Sequence, residues 1–478
     1  MRDQALAISS DGDLARSVEI LYELRELEDP DSLDALLTAS NLGVALSSLG
    51  RLDEAERELT RVLELNIALR GENRLETFTS KSNLSVLLVD LGRYEEAWRL
   101  ENEAYEGRLA LLGPDHQRVG QGLVNLGVVE KEMGRFDDAE RHILQGIATL
   151  RRSLSEEHDR VLLAVNNLCT VLGAQGRRDE ELQLLRANTA TLRRVHGDEH
   201  PTTMLSMSNL AILYLELGRI PEAKTAHEEI LEIERRVRGS DHPSTLSTIE
   251  NYGNVLYTLN DYEGAIAAVH EVLATRTRVL GPDHPAVART NFNLGMVLRF
   301  SGNTVEAVAP FEKALEIWSA SIGLDHLEGA TGVMQLADLA RGRGDLAEAV
   351  ELYKRSLEHW RNVDPQSADV GYALHQIAIT DHDAGELVEG LTYGREAFEF
   401  RRALLGPDHV DTLTTEFVLA GILHRLKQWD EAEALAHDFH DRSLATLGAG
   451  HEHIRMGRKA LFMIYNEQGK SAEAEAWR

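Results

Sequence analysis

Residues 83–97 read NLSVLLVDLGRYEEA, and residues 125–139 read NLGVVEKEMGRFDDA. The second stretch lies 42 residues after the first and keeps its plan: an asparagine, a small residue two places on, a glycine seven later, an alanine five after that. The same step carries the asparagine through Asn41, Asn83, Asn125, Asn167, Asn209, Asn251 and Asn293. A period this constant means one supersecondary unit stacked many times.

The other rows keep the register further along the chain. Glycine recurs from Gly50 to Gly469, with Asn260 and Lys427 as its substitutes. A small residue follows five places later, as in Ala55, Ala97 and Ala139, with Glu181 as an exception. A second small series runs two places after the asparagines, from Gly43 through Ser85, Gly127 and Cys169 to Ala420, and Phe462 breaks it in the last unit. One residue is lost between Gly344 and Gly385, in the loop around 362–367, where a deletion is cheapest.

Each unit reads as two helices. Leu36, Leu42, Ala45 and Leu49 mark one amphipathic face, and Leu52, Ala55, Leu59 and Val62 mark the next. The glycine between them ends the first helix in a left-handed conformation, which Asn260 also adopts cheaply. Small residues at the Gly43 and Ala55 positions let the two helices approach closely. Loops such as Leu112-Gly113-Pro114-Asp115-His116 join the units. There the glycine is expected to close the outgoing helix and the acidic residue to cap the incoming one, with Pro201, Pro243 and Pro285 in first turns.

The expected fold is all-α: a right-handed superhelical solenoid of antiparallel helix pairs, about ten to eleven units long. Residues 1–28 read as a shortened capping repeat, because Gly12-Asp13-Leu14-Ala15 echoes Gly344-Asp345-Leu346-Ala347. Residues 29–452 hold ten tandem repeats, one of them 41 residues long, and 453–478 an incomplete last one. The stop at Arg478, inside a second helix, fits a chain cut from something larger.

The Asn-Leu-Gly/Ala, Leu-Gly-Arg-Tyr/Phe-x-Glu-Ala and Leu-Gly-Pro-Asp-His-Pro motifs resemble the tetratricopeptide repeat. The likeness is to its 42-residue form, found in kinesin light chains and many bacterial proteins, and it spans roughly the whole chain. It departs most in the last three units, where Gln376, Val418 and Ala460 replace the asparagine. The resemblance implies a non-enzymatic protein-interaction scaffold. It also implies that the asparagine row faces the concave surface and grips peptide main chain, as similar rows do in relatives.

Composition narrows the classes. Net charge is −29, from 79 acidic and 50 basic residues, so a phosphate backbone would be repelled and nucleic acid is not the expected partner. Cys169 is the single cysteine, which excludes an intramolecular disulfide framework and favours a reducing, cytoplasmic compartment. The start opens no secretory signal, and no apolar run is long enough to span a bilayer.

The asparagine row carries the main expectation. An amide offers both a donor and an acceptor, so it can pair with a peptide unit whatever that unit's side chains. Mid-helix asparagine is otherwise mildly unfavourable and needs a reason. The alternative is that each amide bonds backbone within the stack and only orders it. Three places after the row, Val44, Val86, Val128 and Ile212 suit either side-chain pockets or ordinary packing. Six places after it, Arg299, Arg341, His382 and His424 form a stripe suited to an acidic or phosphorylated segment or a carboxylate, unless Asp338 and Asp383 neutralise it.

Histidine recurs at one loop position, from His116 to His451, too widely spaced to share a metal, and reads as loop-ordering. His375, His382, Asp383 and His424 are a candidate metal or pH-responsive cluster, and His437 with His440 a weaker one. Phosphate-binding loops, His-Glu-x-x-His, Gly-x-Ser-x-Gly and Cys-x-x-Cys are all absent. No cofactor is expected. Three functions follow in order: a scaffold for an extended peptide, a regulatory solenoid of a signalling ATPase system, and a metal-dependent enzyme on a helical-repeat scaffold.

Overall fold

The helices Leu33–Ser48 and Leu52–Arg70 pack so closely that a side chain on Gly43 has nowhere to go. A Cβ there would lie 2.6 Å from Leu59 Cγ. At Gly127 it would meet Ile143 Cγ1 at 2.5 Å and the Ala139 carbonyl at 2.8 Å. On the facing helices Ala55, Ala97, Ala139, Ala223 and Ala265 are 0 % exposed, as is Ala307 just before its helix. Overpacking such a contact costs about 1–3 kcal/mol, so the small-residue rows are a requirement of the helix pair.

A computed structural model describes residues 14–28 and 32–478. Of the expected opening repeat, residues 1–13 lie outside the described residues, and a helix runs over Leu14–Leu27. The chain forms two compact units, Met1–Asp261 and Tyr262–Arg478, although no linker interrupts the register. In the first, the pair above is followed by Leu75–Asp90 with Tyr94–Leu112, Gln117–Glu132 with Phe136–Ser153, Asp159–Ala174 with Arg178–His196, and Pro201–Glu216 with Ile220–Val237. Pro243–Thr258 closes it. The second opens with Tyr262–Leu280, continues in pairs from Pro285–Phe300 with Val308–Ser321, and ends in Glu452–Glu467 with Ser471–Ala476. Among the described residues every element is helical. None of the helices is long and apolar enough to cross a membrane.

Within the first unit each repeat's first helix touches the first helices of its neighbours. Second helices reach one another through long ion-paired side chains, as Arg193 Nη2 does to Glu229 Oε1 at 2.5 Å. The first helices therefore line one side and the second helices the other.

The turn between helices follows the sequence. The Gly50 N–H bonds the Ser47 carbonyl and the Arg51 N–H the Leu46 carbonyl, with Gly50 at φ 74°. Among the described residues two non-glycines have positive φ, Asn260 and Lys427, both at 60°, and both occupy the glycine row. A lysine there bears left-handed strain of about 1–2 kcal/mol, partly offset because glycine loses more freedom on folding. Lys427→Gly should stabilise the protein by about 0.5–1 kcal/mol, seen as a higher denaturant midpoint. A lower midpoint would mean that the turn is not strained.

The incoming helix is capped differently from expectation. The acidic residue is not the cap: the next residue, histidine, is. Nδ1 of His116 accepts the Arg118 N–H at 3.0 Å, and His242 and His284 accept from Ser244 and Ala286 at 3.1 Å. His158, His200, His326, His409 and His451 cap their helices the same way. The imidazole acceptor reaches a first-turn N–H that the helix leaves unpaired. Burial holds His284 below the usual histidine range, with Arg276 adding to it, and burial and then Arg238 do the same for His242. A depressed histidine contributes stability above about pH 6.5 and loses it as pH falls, because protonation removes the accepting lone pair. His284→Asn, a cap that does not titrate, should melt within about 2 °C of the parent at pH 7.5 and lose less at pH 5.5. An unchanged pH dependence would contradict the cap.

One exception to the small-residue rule has a physical account. Glu181 fits because Gly173 opposite it has no side chain: a Cβ there would lie 2.8 Å from both carboxylate oxygens. Arg178 balances the buried charge at 2.8 Å. Phe462 sits half-buried in the last pair. Cys169 is buried in its packing slot, where burial and then Glu181 push its thiol up to about 12.

Between repeats runs a row of buried polar contacts that the sequence reading passed over. Asn66, Glu234, Arg276 and Arg401 share one register on the second helices, and each bonds a hydroxyl fourteen residues on: Ser80 at 2.9 Å, Thr248 at 2.6 Å, Thr290 at 2.7 Å and Thr415 at 2.9 Å. Trp318 and Trp360 fill that register with indole instead.

Candidate functional site on the first-helix face

On a helix, positions four before and three after a residue lie on its own face. In the first unit Leu37 and Val44 flank Asn41 in this way, and Leu205 and Ile212 flank Asn209. All four are exposed, at 54 %, 46 %, 47 % and 38 %, and Val86 beside Asn83 is exposed too. Large apolar side chains left in solvent around a repeated amide make a face suited to a partner. Val44, Val86 and Ile212 were in the expected pocket row. Leu37 and Leu205 were missed, although counting four residues back from each asparagine would have found them.

The seven asparagines are all half-buried. Their amides differ in what they already hold. Asn83 Nδ2 donates to Ser40 Oγ at 3.1 Å, across one repeat. Asn125 Nδ2 donates to Glu101 Oε1 at 3.3 Å, and its Oδ1 accepts from Gln121 at 3.0 Å. Glu101 is deeply buried, which raises its pKa, while Arg108, Ser82 and Asn125 pull it back. The amides of Asn41, Asn167, Asn209, Asn251 and Asn293 take no hydrogen-bond partner among the described residues. Thus the third and second repeats use the amide internally, and the fourth to sixth leave it open.

In the second unit Asn293 is followed at its register by Gln335 and Gln376. Gln376 Oε1 accepts from Arg341 at 3.3 Å, whereas Gln335 Oε1 is buried without a donor. In the cationic stripe both arginines are paired. Arg299 holds Asp338 at 3.0 Å and Arg341 holds Asp383 at 3.2 Å. His382 Nδ1 lies 3.3 Å from Asp383, and His424 Nε2 lies 3.3 Å from Glu467. Asp338 also accepts from Tyr353 at 2.6 Å and Tyr372 at 3.1 Å. Burial first, then the Asp338 charge, push Tyr372 up to about 12.

The histidines do not converge. His375 is buried against Thr415, 3.3 Å away. Burial, then Arg401 and Arg341, drive it down to about 3. His424 stacks edge-on to Trp429, 5.4 Å between ring centres. His437 meets Tyr465 at 2.9 Å and His440 meets Asp441 at 3.0 Å. No set of three His, Cys, Asp or Glu among the described residues is placed to hold a metal ion.

The two kinds of amide should separate on mutation. Asn125→Ala takes a donor from a buried carboxylate and should cost about 1–3 kcal/mol, while Asn209→Ala should stay within about 0.5 kcal/mol. Chemical unfolding of both variants checks this, and equal losses would contradict the division of the row.

The sequence matches the family model described as Tetratricopeptide repeat over residues 34–110, 160–233, 216–269, 245–320 and 369–438, and a second model of the same description over 121–159. No curated protein matches the chain significantly. Among solved structures, the apo form of RapI aligns at 17 % identity with a TM-score of 0.50, covering 77 % of this chain and 98 % of that one. A putative kinesin light chain of nearly identical TPR-like repeats from Podosopora anserina aligns at 22 % identity and TM-score 0.40, covering 43 % and 98 %. BtubC (BKLC) from P. vanneervenii aligns at 22 % and 0.44, covering 48 % and 92 %. At these identities the RapI likeness speaks for the fold alone.

Proposed function

Since the chain belongs to the tetratricopeptide repeat family, we propose that it is a non-enzymatic interaction scaffold whose first unit holds an extended polypeptide segment along its first-helix face. The observation that carries this reading is the run of open amides at Asn167, Asn209 and Asn251, with exposed Leu205 and Ile212 beside the middle one. A half-buried amide without a partner gains a donor and an acceptor when a peptide unit lies across it. Asn41 and, in the second unit, Asn293 offer the same group. Asn83 and Asn125 would have to give up internal bonds, so they contribute least. Apolar ligand side chains fit against Leu37, Val44, Val86, Leu205 and Ile212.

Preference for an acidic or phosphorylated segment is a subordinate part of the proposal. Arg299, Arg341, His382 and His424 each face a carboxylate already. A ligand anion gains there only by exchange, so charge tunes binding in the second unit and does not create it. The lone buried thiol of Cys169 fits a reducing compartment such as the cytoplasm.

Replacing Asn167, Asn209 and Asn251 together by Ala tests the reading. The probe is a 12-residue segment selected on the intact chain from a library of displayed, unstructured peptides. Three amides making two bonds each, at about 0.5–1.5 kcal/mol per bond, imply a loss of at least about a hundredfold in affinity. The melting temperature should stay within about 2 °C, because none of the three amides bonds the stack. Unchanged affinity would remove the row as a binding surface.

A further inference from the structure

Where Trp318 and Trp360 fill their register with indole, the first repeat places Asn66, and a smaller side chain leaves room. Asn66 lines a cavity of about 370 Å³ between the helices Leu33–Ser48, Leu52–Arg70 and Leu75–Asp90. Leu36, Leu37, Val62 and Leu75 form its apolar wall. Arg70, Glu76 and Arg118 bring charge to it. A space of this size with an apolar wall and a few converging polar groups is in the range of small-molecule sites.

The orientation of the Asn66 amide follows from its neighbour. Ser80 Oγ donates its proton to the Glu76 carbonyl at 3.2 Å, so towards Asn66 it can only accept. The amide nitrogen therefore faces it, at 2.9 Å, and the amide oxygen is left over. Asn66 is 5 % exposed, and that oxygen has no donor. Buried acceptors are rarely left so, since the lost hydration is not recovered. Arg70 repeats the pattern: its Nη1 lies 3.5 Å from Glu76, while its Nε is buried without an acceptor. Arg118 is exposed at the cavity's edge. Of the other polar side chains of the lining, Thr79 donates to the Leu75 carbonyl at 2.9 Å and Ser40 accepts from Asn83 at 3.1 Å.

The geometry points to a site for a free apolar α-amino acid in this cavity. Its ammonium group supplies the donor that Asn66 Oδ1 lacks and meets Glu76. Its carboxylate meets Arg70 and Arg118, and its side chain lies on the Leu36, Leu37, Val62 and Leu75 wall. The site goes beyond peptide capture by the asparagine row: it shares Leu37 with that face, but no open amide of the row lines it.

Calorimetric titration of the intact chain with L-phenylalanine, L-phenylalaninamide and 3-phenylpropanoate tests it. Phenylalanine should bind, and each analogue, lacking one charged group, should bind at least about tenfold more weakly. Asn66→Leu should abolish binding without lowering the melting temperature. Leucine already occupies this register at Leu192, buried opposite Ser206, so the variant has a precedent in the same stack. Arg118→Ala, at an exposed position, should weaken phenylalanine about tenfold and leave phenylalaninamide unchanged. No heat with millimolar phenylalanine, equal binding of the three compounds, or a parent-like Asn66→Leu would each overturn the site.

Discussion

The contact between the two helices of a repeat sets everything else. Where Gly127 meets Ile143 and the Ala139 carbonyl, there is no space for a methyl group. That contact fixes the distance and rotation of each pair, and a pair of fixed geometry presents the same register to its neighbours every time. An asparagine two residues before the small position is thereby held at the edge of the stack, half in and half out. Its placement follows from backbone packing and not from any bond of its own.

Given a common placement, local chemistry divides the row. Asn125 lies beside Glu101, a buried carboxylate, and donates to it. Asn83 finds Ser40. Asn167, Asn209 and Asn251 meet no such neighbour and stay open. The second unit departs in the other direction. Its stripe of cations is real as sequence, yet Asp338 and Asp383 stand opposite the two arginines, so those charges are held in ion pairs.

Much of the fold was legible because it is periodic. The helix pairs, the left-handed turns at Asn260 and Lys427 and the small-residue packing all follow from one 42-residue step. What the period hides is any feature held by a pair of residues in different registers. Glu181 looks like an anomaly until Gly173 is seen opposite it. The polar contacts of Asn66, Arg276 and Arg401 vary in residue type along their row, so no repeated letter announces them. The capping histidines were placed correctly in the loop, but the cap was assigned one residue early, to the acid. That acid is the usual cap, and an imidazole acceptor does the same job less commonly. Which amides were free was beyond the sequence, because that depends on side chains from the neighbouring repeat.

The central claim is that open amides in consecutive repeats meet one polypeptide. Side-chain NH2 resonances of protein labelled with 15N-asparagine, recorded with and without a captured 12-residue segment, test it most directly. The account predicts that the signals of Asn167, Asn209 and Asn251 move on binding while those of Asn83 and Asn125 stay in place. Signals of the three that do not respond to a segment known to be bound, or a response confined to Asn83 and Asn125, would contradict it.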